Sequence, residues 1–388
     1  MNYNKVVYFR YIPLTLKIFC DFYMKELLCN GIDVEYWDMT DLFFKDSYLQ
    51  EDSSYLTKTI KFRNYQDVET VIRQQNLDKT LFISIVTYEG RVIRLYKLFT
   101  KYNCKLAVFG RSMIPIATGK KLFFQRLKKI TPKMIINYID RQKAIKLKLN
   151  GKIKKYDILF LGGNNGWRRL GATYPGEINS AQKINVNNED YDNALEQRDS
   201  PRIINGDYVL FLDQYLPLHP DTRILGQKSV DCVQYYSQLN SYFDKVEKQF
   251  GIPVIIAAHP KALKYKEIDY FNCRKVYFGQ SAILSRDAKF VLAHHSTSVD
   301  YPIAFNVQLH FITSRSIEKD MYLIHRSVIH FAKYLKCNWQ YFDNENEPVN
   351  LVKTFSSNAY LNYKYDFMCS KETENKLTKN IFIDFITS

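Results

Sequence analysis

The sequence predicts an α/β fold made of two similar domains. Each half of the 388-residue chain alternates short apolar strands with amphipathic helices, which is the pattern of a parallel sheet joined by crossover helices. A chain of this length is long for one hydrophobic core, so two domains are expected. We assign residues 1–190 to an N-terminal domain, 205–348 to a C-terminal domain and 349–388 to a tail that packs back on the first domain. The two domains are expected to face each other across a central cleft.

The elements of the first half follow from the hydrophobic period and from turn residues. Strands are predicted at 6–9, 32–36, 80–86, 105–109 and 156–161, and helices at 13–30, 66–75 and 90–102. Gly31 stands where the first helix should end, because glycine favours the position just after a helix. The region 164–206 has no regular spacing of apolar residues and is rich in Asn, Gly, Asp and Pro. This composition indicates an interdomain connection.

The second half repeats the alternation. Strands are predicted at 208–212, 254–258, 276–278, 290–293 and 309–312, and helices at 230–250, 282–287, 299–305 and 318–335. The tail has two short amphipathic stretches. This second series of strands predicts a second parallel sheet.

The charge and the cysteine content of the sequence indicate the kind of partner and the cellular compartment. The net charge is +15, which predicts an anionic partner such as phosphorylated substrates, acidic lipid or nucleic acid. The seven cysteines are scattered without a C-x-x-C pair, which suits a reducing compartment. The apolar run at residues 6–9 is too short for a signal peptide, and no apolar run approaches the ~20 residues that span a bilayer, so neither feature is expected. A cytoplasmic location is therefore expected.

The segment Lys120–Lys155 carries most of the charge. It holds thirteen basic residues, one acid (Asp140) and many interleaved apolar residues. A basic helix with an apolar face fits an anionic membrane surface, which predicts peripheral attachment to the inner membrane. A solvated helix whose apolar side packs on the sheet is the alternative. No helix-turn-helix, RRM or zinc-finger pattern accompanies the charge, so no nucleic-acid partner is expected.

Two strand ends of the second half carry the clearest chemistry. Ligands in open α/β sheets bind beyond the carboxyl ends of strands. One predicted strand ends in His259-Pro260-Lys261 and another in His294-His295-Ser296-Thr297-Ser298. Imidazole can hold a phosphate or act as a general acid, and hydroxyls with a helix N-terminus can hold an anion. A strand-capping histidine and simple helix capping are the alternatives.

Acidic residues follow two further strands. Asp213-Gln214 ends the strand at 208–212, and Glu89 with Arg91 follows the strand at 80–86. Either carboxylate could take a proton from an acceptor hydroxyl, and the alternatives are a turn residue and a helix-starting acid. Asp190-Tyr191-Asp192 matches D-x-D but follows no strand, and the glycines at 162–166 lack a phosphate-loop spacing. No metal and no other cofactor are expected.

With these motifs the chain resembles bacterial GT-B glycosyltransferases of surface-polysaccharide synthesis (capsule and lipopolysaccharide). It is most similar to the sialyl-, polysialyl- and Kdo-transferases, which use CMP-activated acidic sugars. Their His-Pro motif matches His259-Pro260, and their Ser/Thr motif matches Ser296-Thr297-Ser298. Their acidic-acidic-glycine motif matches Glu89-Gly90, with Tyr88 in place of the first acid. The resemblance covers about residues 205–315 and implies two Rossmann-like domains.

The resemblance implies an inverting, metal-independent transferase. It would move a sialic-acid-like sugar or Kdo from a CMP-sugar to a glycan or lipid-linked acceptor. Glu89 or Asp213 would be the base, and Gln214 and Arg91 would bind substrate. The donor would contact residues His259, Pro260, Lys261, His295, Ser296, Thr297 and Ser298. Three alternatives stay open: a UDP- or GDP-sugar donor, a nucleotide-sugar epimerase of the same fold, and a binder of RNA or membrane without chemistry.

Overall fold

The computed structural model of the chain describes residues 3–44, 52–86, 90–115, 132–171, 173–220, 228–344, 346–350 and 356–388. The chain forms two compact units. The first comprises Met1–Met113, Lys129–Glu189 and Cys369–Ser388, and the second consists mostly of Asp190–Met368. Each unit is built around its own parallel sheet.

The first unit has a seven-stranded sheet in which every recorded pairing is parallel. Its strands are β1 (Lys5–Arg10), β2 (Asp33–Asp38), β3 (Lys58–Lys61), β4 (Thr80–Ser84), β5 (Lys105–Gly110), β6 (Ile158–Gly162) and β7 (Gln182–Val186). The order across the sheet is β3-β2-β1-β4-β5-β6-β7. Strand order therefore reverses between β1 and β4, which makes that position the switch point where a crevice opens in folds of this type.

The helices of this unit are α1 (Leu16–Asp21), α2 (Met24–Cys29), α3 (Thr40–Phe43), α4 (Tyr65–Gln74), α5 (Ile93–Lys101), α6 (Pro132–Leu149), α7 (Pro175–Ser180), α8 (Glu189–Glu196, which continues into the second unit) and α15 (Thr378–Thr387). The single helix predicted at 13–30 is wrong. Tyr23 adopts a left-handed φ of 57°, which breaks the helix into α1 and α2. The Tyr8 hydroxyl donates to the Phe22 carbonyl at 2.7 Å and thereby satisfies a backbone group at the break.

The region 164–206, predicted as the interdomain connection, does contain the boundary between the two units at Glu189 and Asp190, but it is not irregular, because it also contains α7, β7 and α8. The strand β7 reads Gln-Lys-Ile-Asn-Val and buries little besides Val186. It forms the edge of the sheet, where polar residues protect an unpaired strand from pairing with other chains. Its polar composition hides it from a search for apolar runs.

The C-terminal helix α15 covers part of one face of the first sheet, beside α1 and α2. Phe382 and Ile386 are buried in the same core as Val6 and Phe160, and the Tyr3 amide donates to the Ile386 carbonyl at 3.0 Å. Burying a large apolar side chain contributes about 1.5–3 kcal/mol. The described residues from Cys369 onward thus belong to the first unit, whereas α14 (Ser357–Tyr363) belongs to the second.

The second unit has a six-stranded sheet whose recorded pairings are likewise parallel. Its strands are β8 (Val209–Leu212), β9 (Val254–Ala258), β10 (Val276–Phe278), β11 (Phe290–Ala293), β12 (Leu309–Thr313) and β13 (Trp339–Tyr341). The order is β10-β9-β8-β11-β12-β13, so the switch point lies between β8 and β11. The predicted strands of this half are all present, and β13 is an additional short edge strand.

Helices α9 (Cys232–Phe250), α10 (Ser281–Asp287), α11 (Asp300–Ala304), α12 (Arg315–Asp320), α13 (Tyr322–Leu335) and α14 complete the second unit. The predicted helix at 318–335 is two helices, because Met321 leaves the helical region at φ −123° and ψ 47°. Asp231 caps α9 by accepting from the Gln234 amide at 2.8 Å, and Gly251 ends it in a left-handed conformation.

These observations confirm the predicted fold class. The chain is α/β, with two Rossmann-like parallel sheets and crossover helices.

Candidate functional site

Three strand ends of the second unit lie side by side. Leu212 of β8 is in register with Ala257 of β9 on one side and with Ala293 of β11 on the other. The residues that follow these strands therefore leave the sheet at one edge. Asp213 and Gln214, His259 to Lys261, and His294 to Ser298 all start from this edge, at the switch point of the sheet.

A hydrogen bond crosses the switch point. The backbone amide of His295 donates to the Gln214 Oε1 at 3.1 Å. The His295 imidazole packs against the edge of the Phe331 ring at 5.2 Å between centroids. Burial lowers the pKa of His295 to about 4, so this ring is neutral at neutral pH.

The neighbouring His294 has a structural role. Its Nδ1–H donates to the Ile312 carbonyl at 2.7 Å, and its Nε2 accepts from the Tyr235 hydroxyl at 2.8 Å. Complete burial lowers the pKa of His294 to about 4. A neutral imidazole with both nitrogens bonded fixes the start of the loop that carries Ser296–Ser298.

The His259 side chain has a defined tautomer. The Lys261 amide donates to its Nδ1 at 3.1 Å, so the proton of the neutral ring is on Nε2. The His219 ring meets it edge to face, with centroids 4.9 Å apart. His219 belongs to a second His-Pro pair, His219-Pro220. The structure thus pairs two imidazoles at the end of β9.

Asp213 is buried at the centre of this edge and is only 3% exposed. Its Oδ1 accepts from the Tyr215 amide at 3.0 Å. Its Oδ2 has no partner at normal hydrogen-bond geometry, although the Tyr265 hydroxyl and the His259 backbone amide are near enough to favour the charged form. Burial outweighs these contacts and raises the pKa of Asp213 to about 6.

The Ser296–Ser298 turn differs from the predicted helix N-terminus. Thr297–Val299 forms a 3-10 turn that runs into the five-residue α11. The Ser296 hydroxyl oxygen accepts from the Ser298 amide at 3.3 Å and lies 2.7 Å from the Ser298 hydroxyl oxygen. A helix this short contributes a small dipole. Any anion contact at this turn would therefore come mainly from hydroxyl groups.

The sequence-predicted residues of the first unit are placed in part. Glu89 and Tyr88 lie outside the described residues. The Arg91 guanidinium lies over the Phe44 ring at 5.1 Å. Gly90 packs closely against helix α6, because a Cβ at this position would come within 2.4 Å of the Asp140 carboxyl group. In the described ranges, no group of three or more His, Cys, Asp or Glu residues is arranged to hold a metal ion.

The first unit contains a cavity that sequence reasoning missed. It has a volume of about 300 Å³ and is lined at the ends of β1, β4 and β5 by Arg10, Ser84 and Arg111, and elsewhere by Arg169 and Glu189. The Arg111 Nε contacts the Glu189 carboxylate at 2.9 Å. These arginines are far apart in the sequence and belong to no motif, so only the topology of the sheet brings them together.

Helix α6 holds residues 132–149 of the basic segment, and residues 150–155 follow it. Residues 120–131 of that segment lie outside the described residues. The second half of α6 is anchored by Ala144 and by Lys148, which forms a fully buried ion pair with Glu177 at 2.8 Å. Its first turns are exposed and carry five large apolar side chains that are 50–64% accessible: Met134, Ile135, Ile136, Tyr138 and Ile139. No helix of the described ranges is long and apolar enough to cross a membrane.

Comparisons with known proteins give distant likenesses in fold. No protein-family model matches the sequence, and no curated protein matches it. Among solved structures, the UDP-GlcNAc 2-epimerase of Methanocaldococcus jannaschii is 11% identical, with a TM-score of 0.47 and 99% of each chain covered. UGT89C1 of Arabidopsis thaliana is 9% identical, with a TM-score of 0.46 and coverage of 99% of this chain and 98% of the other. MurG of Acinetobacter baumannii is 9% identical, with a TM-score of 0.44 and 99% of each chain covered. Likenesses of this kind assign no substrate.

Proposed function

We propose that this chain is a glycosyltransferase that binds a nucleotide sugar at the edge of the second sheet. The observation that carries the proposal is the meeting of Asp213, Gln214, His259 and His295 at the switch point between β8 and β11. Ligands of open α/β sheets bind at this position. Imidazole, amide, hydroxyl and ammonium groups at this edge match the phosphate and sugar hydroxyls of such a donor.

The His259 imidazole is the proposed contact to the leaving phosphate. Because the Lys261 amide occupies Nδ1, the ring offers Nε2–H as a donor. The Lys261 ammonium group and the hydroxyls of Ser296–Ser298 add positive charge and hydrogen bonds. Donors aimed at a developing negative charge stabilise the transition state without a metal. Gln214, which is tied to the His295 amide, and Arg91 are proposed to orient the substrates.

The proposed reaction is a single displacement with inversion. The acceptor hydroxyl oxygen attacks the anomeric carbon, the bond from that carbon to the phosphate oxygen breaks, and the electron pair leaves with the phosphate. A carboxylate takes the hydroxyl proton. Asp213, whose pKa is raised to about 6, has the basicity that such a step near neutral pH requires. Glu89 is the second candidate for the base.

The proposal also includes the identity of the nucleotide in the donor. The CMP-linked acidic donor depends on two short motifs, His259-Pro260 and Ser296-Thr297-Ser298. The same groups fit a UDP- or GDP-sugar. A nucleotide-sugar epimerase would use the same donor site but would need no acceptor.

A thermal-shift panel with CMP, UDP, GDP, CDP and AMP, each with and without EDTA, tests the proposal. A ligand at ~100 times its dissociation constant stabilises the folded state by about 2.7 kcal/mol. We expect one nucleotide class to raise the melting temperature, and we expect the rise to be lost in His259→Ala and kept in Lys248→Ala, at an exposed position of α9. No rise with any nucleotide would contradict the proposal. Transfer from the bound donor to an added acceptor would then separate a transferase from an epimerase.

We further propose that the protein attaches to an anionic membrane surface through α6. The exposed apolar residues at 134–139 precede the exposed basic residues Arg141, Lys143 and Lys146. Apolar insertion and attraction to anionic lipid act together in interfacial helices, and each basic residue near such a surface contributes about 1 kcal/mol. Attachment would place the enzyme beside a lipid-linked acceptor on the cytoplasmic face.

A further inference from the structure

The first unit has its own crevice at a switch point. Arg10 is the last residue of β1, and Ser84 is the last residue of β4. These two strands are neighbours, and the strand order reverses between them. The cavity of about 300 Å³ lies beyond these ends and is bounded entirely by residues of the first unit. A cavity at this position is where a ligand of an α/β sheet is expected.

The lining of this cavity is positively charged. It includes the guanidinium groups of Arg10, Arg111 and Arg169 and one carboxylate, that of Glu189. The Glu189 carboxylate is already bonded to the Arg111 Nε at 2.9 Å and to the Ser112 hydroxyl. The Arg111 Nη1 donates to the Tyr23 hydroxyl at 2.7 Å and its Nη2 donates to the Asp21 carbonyl at 2.5 Å. Arg111 is therefore a fixed part of the wall.

Arg10 and Arg169 have no such partners. The buried Nε of Arg10 makes no hydrogen bond, and in the described part of the chain neither guanidinium forms an ion pair with a carboxylate. Asp38 is in register with Arg10 on the neighbouring strand, but its Oδ1 is bonded to the Thr40 amide at 2.9 Å. A buried cationic donor without a partner is costly unless a ligand supplies one.

We propose that this cavity binds an anionic group, a phosphate or a carboxylate, through Arg10 and Arg169. A guanidinium holds either group with paired N–H donors. The inference that this group belongs to the acceptor rests on the proposed function. In that case the acceptor is an acidic or phosphorylated glycan, and the enzyme recognises its charge in the first unit.

Binding of small probes tests the proposal directly. The full chain is titrated calorimetrically with glucose 6-phosphate, glucuronate and uncharged glucose. We expect at least one of the two anions to bind and glucose not to bind, and comparison of the two anions tells phosphate from carboxylate. Arg10→Gln and Arg169→Gln should each weaken binding about tenfold or more, the size expected for a lost charge-assisted hydrogen bond.

Arg168→Gln is the matched control. Arg168 is the exposed neighbour of Arg169, stacks on Trp167 at 5.6 Å and does not line the cavity, so binding should be unchanged. Because Arg169 is exposed, its substitution should leave the fold intact. Arg169→Gln therefore still tests the proposal if Arg10→Gln misfolds. Failure of both anions to bind, or equal binding by Arg10→Gln, Arg169→Gln and the natural chain, would overturn the proposal.

The same variants separate this inference from the proposed function. Nucleotide stabilisation through His259 is measured on each of them. If nucleotide binds and the anions do not, the cavity proposal fails and the donor site stands. If the anions bind in an Arg10-dependent way and no nucleotide binds, the cavity is an anion site and its assignment to a glycosyl acceptor fails.

Discussion

Gln214 and His295 are joined across the switch point of the second sheet, since the Gln214 Oε1 accepts the His295 amide hydrogen at 3.1 Å. One residue follows β8 and the other follows β11, so this bond sets the separation of the two loops that bear the proposed donor contacts. The bond also leaves the Gln214 amide nitrogen as a donor at the same edge.

Replacing Gln214 by Leu should loosen this edge. The His295 amide would lose its acceptor at this part-buried position, and an unsatisfied donor costs up to about 1–3 kcal/mol when it is fully buried. We expect a lower free energy of unfolding in urea and weaker nucleotide binding. Gln214→Glu keeps an acceptor oxygen and should retain most of the stability. Equal losses in both variants would show that the bond to His295 is not the cause.

Replacing His259 by Ala should weaken nucleotide binding about tenfold to a hundredfold, because a hydrogen bond to a charged group contributes about 1.5–3 kcal/mol. Calorimetric titration with the nucleotide found in the thermal-shift panel measures the change. His219→Ala should have a smaller effect if it acts only by packing against His259. An unchanged affinity in His259→Ala would remove this residue from the donor site.

Asp213 should make the stability of the protein depend on pH between about 4 and 6. Burial raises the pKa of its carboxyl group from 3.8 in the unfolded chain to about 6 in the folded protein. The folded state therefore holds the proton more tightly, and stability falls as pH rises through this window, by about 3 kcal/mol in total. Buried His294 has the opposite effect, because the pKa of His294 is lowered to about 4.

The contribution of Asp213 is isolated by comparison with Asp213→Asn. This variant keeps an oxygen for the Tyr215 amide and removes the titration. Its free energy of unfolding, relative to that of the natural chain, should rise between pH 4 and pH 6.5. Asn76→Ala, at an exposed position, removes no titrating group and should run parallel to the natural chain. A difference that is independent of pH would contradict the raised pKa.

The buried pair of Lys148 and Glu177 anchors α6. Both side chains are fully buried, and the Glu177 carboxylate also accepts from the Tyr156 amide at 3.1 Å. Lys148→Met leaves a buried carboxylate unpaired and should cost about 3–5 kcal/mol. Adding Glu177→Gln neutralises that charge and keeps an acceptor for Tyr156, so the double variant should recover part of the loss. Lys146→Met on the exposed side of the helix is the control, and chemical unfolding provides the measurement.

The exposed start of α6 should bind anionic vesicles. Ile135→Ser with Ile139→Ser removes two large apolar side chains that are 50% and 57% exposed. We expect cosedimentation with vesicles of phosphatidylglycerol and phosphatidylcholine to weaken about tenfold or more, since each buried side chain of this size contributes about 1.5–3 kcal/mol. Leu361→Ser, an exposed position outside α6, should have no effect. Equal binding by the double variant, or no binding by the natural chain, would contradict the membrane proposal.

The buried strands could be predicted from the sequence because continuous apolar runs leave few alternatives. The edge strands β3 and β7 were not predicted, since a strand with one free edge and polar residues has no continuous apolar run. The helix breaks at Tyr23 and Met321 were not predicted for another reason. The helical spacing of apolar residues continues through both positions, and tertiary contacts fix the backbone there.

The candidate site residues divide in the same way. His259 directly follows β9 and Ser296 follows β11 by three residues, so their places at the sheet edge could be predicted from the apolar runs. Arg10 and Arg169 could not be found, because their meeting depends on strand order and no spacing in the sequence encodes it.

The place of α15 has a consequence for synthesis. The first sheet begins at Lys5, yet one of the helices that cover one of its faces contains Phe382 and Ile386. A ribosome must therefore translate the whole second unit before this face can be closed. Until then the nascent first unit presents an open apolar surface, which makes it a substrate for chaperones. A recombinant fragment ending near residue 190 should consequently aggregate unless residues 369–388 are supplied in trans.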